Sequence, residues 1–403
     1  MAKDSVTLLD CSRWIAEAAL AGTSEAALLD GFCARLEDLG LGLRRAMVGI
    51  DTLHPVVFGR SFVWRRGVGV EPRQFGRGDT NIETAWQSSP HYHLLQSGEG
   101  RLRRRIRPED SSPREFSVLD DLADEGTTDY VAFFTRFGET ATIGEMDSVY
   151  SSWTTDKSGG FDDGEIAALD GLILQLAAAM KHLTIARIAE TLVETYLGRD
   201  AGRRVLKGAI ARGVAEKIRA VLWFSDLKGF TRLVDTVPPK AIIPLLNDYA
   251  EALVSAIHQA GGQVLKFIGD GILAVFEAGD PAEDCRRALA AAEDAIGRVT
   301  ALNVRRTAES VPTTGFYLAL HTGDVFYGNI GSADRLDFTV IGPAVNEVTR
   351  IAGMCRSLEQ DVVLSAAFAQ AAGPATQRLV SLGRYALRGV ARPQELFTFS
   401  HGS

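Results

Sequence analysis

Residues 223–231 read Trp-Phe-Ser-Asp-Leu-Lys-Gly-Phe-Thr, and this stretch decides how the second half of the chain folds. An apolar run delivers Asp226 to a strand end, and Gly229 then permits a tight turn. The arrangement recurs in Lys-Phe-Ile-Gly-Asp-Gly (266–271), where Asp270 lies between two glycines after another apolar run. Aspartates beside glycine are common turn residues. Two of them at strand ends also suit hard divalent cations, which take one or two carboxylates together with substrate phosphates.

A third block, His-Thr-Gly-Asp-Val-Phe-Tyr-Gly-Asn-Ile-Gly (321–331), leads into Asp-Phe-Thr-Val-Ile-Gly-Pro-Ala-Val-Asn-Glu-Val-Thr-Arg-Ile (337–351). Around these blocks the periodicity predicts strands at 219–225, 263–268, 271–277, 315–322, 325–329 and 337–341, and near 361–364, 378–386 and 394–399. Helices are expected at 238–260, 281–302 and 343–356. Helices packed on one mainly antiparallel sheet make an α+β domain.

With these motifs, the segment from about Ile218 to Phe399 resembles the catalytic domain of the class III nucleotidyl cyclases. The resemblance implies a ferredoxin-like βαββαβ core. It also implies a reaction in which the ribose 3′-oxygen of a nucleoside triphosphate attacks its own α-phosphorus and pyrophosphate leaves. On that likeness Asp226 and Asp270 hold two Mg²⁺ or Mn²⁺ ions per active site. The turn through Gly229, Phe230 and Thr231 cradles the β- and γ-phosphates, and Arg388 reaches the terminal phosphates. Asn346 orients the ribose and Arg350 holds the pentavalent phosphate; four apart, they share one helix face.

Base choice falls to Lys266 and Thr339. Lysine only donates, matching adenine N1, while a threonine hydroxyl can accept from the N6 amine. The acidic acceptor of guanylate-specific relatives is absent, so ATP is the expected substrate and cyclic AMP the product. Taken singly, these residues have ordinary explanations: a snorkelling lysine, a capping asparagine, a solvated helix arginine. Relatives commonly carry aspartate where this chain has Pro343, which can open a helix without losing a hydrogen bond. The family builds its sites between two catalytic domains, and this single domain carries both sets of residues. A head-to-tail homodimer is implied. The alternatives are a guanylate or mixed-specificity cyclase, or a nucleotide-binding signalling scaffold without turnover.

Residues 1–160 precede this domain as a separate unit. Helical patterns at Ser12–Leu20 and Ser24–Leu39 are followed by strand-like stretches at Ala46–Ile50, Val56–Arg65, Tyr130–Phe137 and Met146–Thr154. This order, with Gly-Gly-Phe-Asp-Asp-Gly-Glu-Ile-Ala-Ala-Leu-Asp (159–170), resembles an α/β GAF-type sensor and implies an unknown small-molecule or protein effector. His91 and His93 could bind metal or haem but lack a third partner and read as surface or core residues. Residues 161–214 are expected to be a connecting helix and linker, with an apolar seam from Ile166 to Tyr196 that reads either as a coiled coil with a second chain or as a helix packed on its own domain's sheet; the first half is expected to pack and the second half to connect. The catalytic domain then occupies 215–403.

Composition is that of a soluble globular protein, and the cyclase resemblance implies an enzyme of intracellular signal transduction. The 403 residues are 46% hydrophobic and 23% charged, enough to bury a full core, and the net charge of −8 argues against a nucleic-acid partner. The basic run Arg101–Arg107 reads as the solvated face of a strand, with a phosphate- or partner-binding role as the alternative. Cys11, Cys33, Cys285 and Cys355 are scattered and fit a reducing compartment. The most apolar stretch, Ile166–Met180, is interrupted by Asp170 and Gln175, so a cytoplasmic protein without a membrane anchor is expected.

Overall fold

The computed structural model describes residues 7–107, 114–138, 142–373, 379–390 and 392–399. It divides into two compact units at Leu192/Val193.

The first unit contains α1 (Leu8–Leu20), α2 (Glu25–Asp38), β1 (Leu43–Asp51), β2 (Val57–Arg65), β3 (Gly69–Gly76), α3 (Thr80–Gln87) and α4 (Pro90–Ser97). It continues with β4 (Arg101–Arg105), α5 (Ser117–Asp124), β5 (Asp129–Arg136), β6 (Ser148–Thr155) and most of α6 (Asp163–Leu197). Local chemistry sets the helix starts. Thr7 and Asp10 form a capping box that begins α1 four residues before the apolar pattern suggested. Asp162 and Glu165 exchange reciprocal backbone bonds of 2.8 and 2.9 Å to open α6.

The six strands form one sheet in the order β3-β2-β1-β6-β5-β4. One face packs against α1, α2 and α6, with Phe32 set edge-on to Trp153 at 5.5 Å. Beneath it Glu25, 1% exposed, receives Arg60 at 2.9 Å and Arg187 at 2.6 Å. The seam of α6 is spent here: Ile166, Leu169, Leu172, Leu176, Met180 and Ile188 are all buried in this core. Pairing with a second chain through those residues is therefore closed, and only the far end, where Tyr196 is 80% exposed, is open. By length and by the apolar character of its most hydrophobic 18 residues alone α6 could cross a membrane, although 56% of that stretch is buried in the protein.

The basic run begins as a strand, as expected, and three of its five arginines are paired with carboxylates. Arg103 bonds Asp129 at 2.7 Å, Arg104 bonds Glu115 at 2.8 Å, and Arg101 pairs with Asp170.

The second unit contains α7 (Arg199–Leu206), β7 (Ala215–Leu227), α8 (Phe230–Thr236), α9 (Pro239–Gln259), β8 (Gln263–Ile268), β9 (Gly271–Phe276) and α10 (Pro281–Ala308). It closes with β10 (Phe316–Gly331), β11 (Leu336–Ile341), α11 (Pro343–Cys355), β12 (Val362–Ser365), α12 (Ala366–Ala372), β13 (Leu379–Tyr385) and β14 (Gln394–Phe399). The sheet order β10-β7-β9-β8 is the 4-1-3-2 arrangement of a ferredoxin-like βαββαβ core, with every neighbouring pair antiparallel. Helices α9 and α10 cover one face through Trp223, Tyr249 and Phe276, and α11 covers the other through Leu222, Val348 and Ile351.

One expectation fails instructively. The Gly323-Asp324 pair reads as a turn between two strands, yet β10 runs through it without a break. Its register with β7 is continuous from Phe316↔Leu227 to Gly328↔Ala215. A Cβ at Gly323 would lie 2.6 Å from the Ala344 Cβ, so the glycine serves helix packing rather than chain reversal.

Candidate active site

Asp226 is the penultimate residue of β7, and Asp270 sits in the turn joining β8 to β9, which pairs with β7. The Asp270 Oδ2 accepts the Leu227 N–H at 3.2 Å, fixing one carboxylate beside the other. Burial, then the hydrogen bond and negative charge of Asp270, push Asp226 up to about 7. Two half-buried carboxylates held face to face repel unless a proton or cation lies between them. A hard divalent ion with oxygen ligands fits that donor set.

The turn after β7 continues the site. Gly229 adopts φ +62°, a left-handed conformation that favours glycine, and no side chain caps the first turn of α8. Phe230 and Thr231 begin that turn. Their N–H groups belong to the uncapped first turn, where an anion can satisfy them.

Lys266 on β8 reaches across to β11 and pairs with Asp337. Thr339, buried, lies two residues further along the same strand and therefore on the same face as Asp337. The structure thus groups Lys266 with the Thr339 strand through a residue that sequence reasoning passed over. The signal was present, because Asp337 opens the quoted block 337–351.

Asn346 and Arg350 lie on the first turns of α11, which starts at Pro343 as expected. With Glu347, Gly389 and Val390 they line a cavity of about 630 Å³. The Arg350 guanidinium lies 3.3 Å from where a Gly389 Cβ would stand, so the loop carrying exposed Arg388 closes over it.

The α11 residues and the carboxylate pair do not converge within one chain. Gly342, at the head of α11, packs against Val325, and Val325 pairs with Ile218 at the far end of β7 from Asp226. The eight steps from Ile218 to Asp226 span roughly 27 Å at about 3.4 Å each. Arg350 recovers only about 10 Å of this along the helix.

Residues 215–400 match the family model of the adenylate and guanylate cyclase catalytic domain. The C-terminal unit is a cyclase domain. The chain is 33% identical over 157 residues to a protein named adenylate cyclase from Anabaena cylindrica, covering 38% of this chain and 30% of that one. It is 32% identical over 212 residues to an uncharacterised protein of Mycobacterium tuberculosis, covering 51% of this chain and 37% of that one. It therefore spans about a third of the length of these curated relatives. Among solved structures, the adenylyl cyclase CyaB from P. aeruginosa aligns at 21% identity and TM-score 0.43, over 47% of this chain and 97% of that one. The guanylyl cyclase Cya2 aligns at 26% identity and TM-score 0.42, over 47% and 95%.

His91 and His93 of the N-terminal unit go to separate neighbours. His91 is buried with its Nε2 3.1 Å from the Ser151 carbonyl oxygen, and His93 lies edge-on to Phe116.

Proposed function

We propose that the chain is a cytoplasmic adenylate cyclase that converts ATP to 3′,5′-cyclic AMP and pyrophosphate in a head-to-tail homodimer. The observation that carries this reading is the Asp226–Asp270 carboxylate pair at the phosphate-facing turn of a cyclase domain. Those two residues would hold Mg²⁺ or Mn²⁺, which bound there neutralise triphosphate charge and polarise the attacking ribose oxygen. Lys266 donates to adenine N1 and Thr339 accepts from the N6 amine. Asn346 orients the ribose, and the planar, permanently charged fork of Arg350 braces two oxygens of the reacting phosphate. The Gly229–Thr231 turn and Arg388 hold the leaving pyrophosphate.

A dimer is favoured because the two residue sets lie far apart in one chain. Apolar side chains also stand exposed beside both: Phe267 and Ile268 next to the Asp270 turn, Phe326 and Ile341 near the head of α11. The N-terminal unit is read as a GAF-like regulator of that dimer, answering to an effector. Replacing Asp226 or Asp270 by alanine should abolish metal-dependent cyclic AMP formation while the fold persists. Near-normal turnover in both variants rejects the reading.

A second reading has one specific support. Asp337, held against Lys266, supplies an acidic acceptor that a guanine N1–H could use. Comparing kcat/KM for ATP and GTP, with and without Asp337→Ala, separates the two.

A further inference from the structure

The N-terminal unit holds a cavity of about 590 Å³ that none of this chemistry uses. We propose that it binds a flat, largely apolar organic anion: an aromatic carboxylate whose acid group rests on Arg45 and whose far edge offers an N–H or O–H to Asp51.

The cavity lies on the sheet face opposite the α1–α2–α6 core. Strands β1, β2, β3 and β6 form its floor, and α3 and α4 cover it. Two glycines clear that floor. A Cβ on Gly49 would stand 2.1 Å from the Tyr150 ring, and one on Gly59 would stand 2.9 Å from the Asp51 Oδ1. The Tyr150 ring and the Asp51 carboxylate therefore lie across positions from which side chains are excluded. Trp86 packs 4.9 Å from Tyr150, and Phe134 stacks on it at 6.4 Å and 11°. Phe58 and Phe75, 6.1 Å apart, continue the aromatic lining. A site of this volume, apolar with a few polar groups, suits an organic molecule of two or three rings.

The charges give the ligand its polarity. Of the lining arginines, Arg73 bonds Glu71 at 3.2 Å and Arg77 bonds Glu145 at 2.9 Å. The Arg45 guanidinium makes no hydrogen bond or close ion pair among the described residues, with Glu125 acting on it only at longer range. Its strand position faces Arg65 directly, and Arg65 shares Glu71, at 3.4 Å, with Arg73. Like charges placed opposite one another are unfavourable. An incoming carboxylate would relieve this and could take both prongs of the guanidinium fork. Asp51 likewise lacks a hydrogen-bond partner among the described residues and shares the lining with Asp147. Alternation puts Arg45, Met47 and Asp51 on one face of β1, with roughly 20 Å between the end Cα atoms.

The probe is 6-hydroxy-2-naphthoate, titrated onto the full chain and followed by its own fluorescence, with 2-naphthoate and 2-naphthol as controls. The hydroxynaphthoate should bind saturably, 2-naphthoate more weakly and 2-naphthol more weakly still. Arg45→Met should weaken both acids by roughly tenfold or more and leave 2-naphthol unchanged. Arg45→Lys, which retains charge without the fork, should fall between. Asp51→Ala should erase the advantage of the hydroxyl group, and Met47→Trp should fill the cavity and block all three. Circular dichroism and melting curves report whether each variant folds. Absence of saturable binding by wild type below about 1 mM overturns the proposal. So does equal affinity in wild type, Arg45→Lys and Met47→Trp, or 2-naphthol binding as tightly as 2-naphthoate. Binding alone is read, so the outcome is independent of cyclase turnover.

Discussion

Two inactive chains should repair each other when mixed. Asp226→Ala removes a carboxylate from the end of β7, and Arg350→Ala removes the guanidinium on α11, which starts beside Ile218 at the other end of that strand. If each site draws Asp226 from one chain and Arg350 from its partner, a mixed dimer holds one intact site and one doubly broken site. Random pairing at equal concentrations makes about half the dimers mixed, each with half its sites, so recovery should approach roughly a quarter of wild-type activity. The assay is cyclic AMP formation at fixed total chain concentration, after exchange of differently tagged subunits has been verified by co-purification. Mixing Asp226→Ala with Asp270→Ala is the control. Both changes strike the same half-site, so every pairing stays dead. Failure of the first mixture despite demonstrated heterodimers, or recovery in the control, would refute the shared-site reasoning.

Mn²⁺ should raise the melting temperature of wild type near neutral pH and leave Asp226→Asn unmoved; equal shifts would show that the ion binds elsewhere. Lys266→Glu should lower the ATP-to-GTP ratio of kcat/KM by roughly tenfold or more, because an acceptor replaces the donor opposite N1. An unchanged ratio would remove Lys266 from base recognition. His321 is buried, with Nδ1 2.8 Å from the Ser365 Oγ and Glu347 3.6 Å from its other nitrogen, and burial pushes it down to about 4. Between about 4 and its ordinary 6.5 the unfolded chain takes up a proton that the folded chain refuses, so this group's stability contribution falls as pH drops through that window. His321→Gln should flatten the acid limb of the stability profile, and an identical slope would show that His321 is not the group responsible. Glu25→Ala should cost the N-terminal unit about 3 kcal/mol in denaturant unfolding, since it strands the Arg60 charge in the core. A loss under about 0.5 kcal/mol would mean that Arg60 finds another partner.

Local signals made much of this protein legible before folding was considered. Asp226 and Asp270 announce themselves through apolar runs ending beside glycine, and strand β8 and helix α11 start where periodicity and Pro343 place them. Such features depend on residues close in sequence, so one chain segment carries the whole signal. Three others depend on residues brought together from afar. Whether Gly323-Asp324 turns or continues is settled by α11, whose Ala344 needs the space. The α6 seam reads equally well as a coiled coil or as a core helix, and the face of the N-terminal sheet decides for the core. Asp337 gains its meaning only when Lys266, from a different hairpin, arrives beside it. Periodicity says that a side chain has an apolar or polar neighbour; only the packed chain says which neighbour, because that contact energy exists nowhere in the sequence until the segments meet.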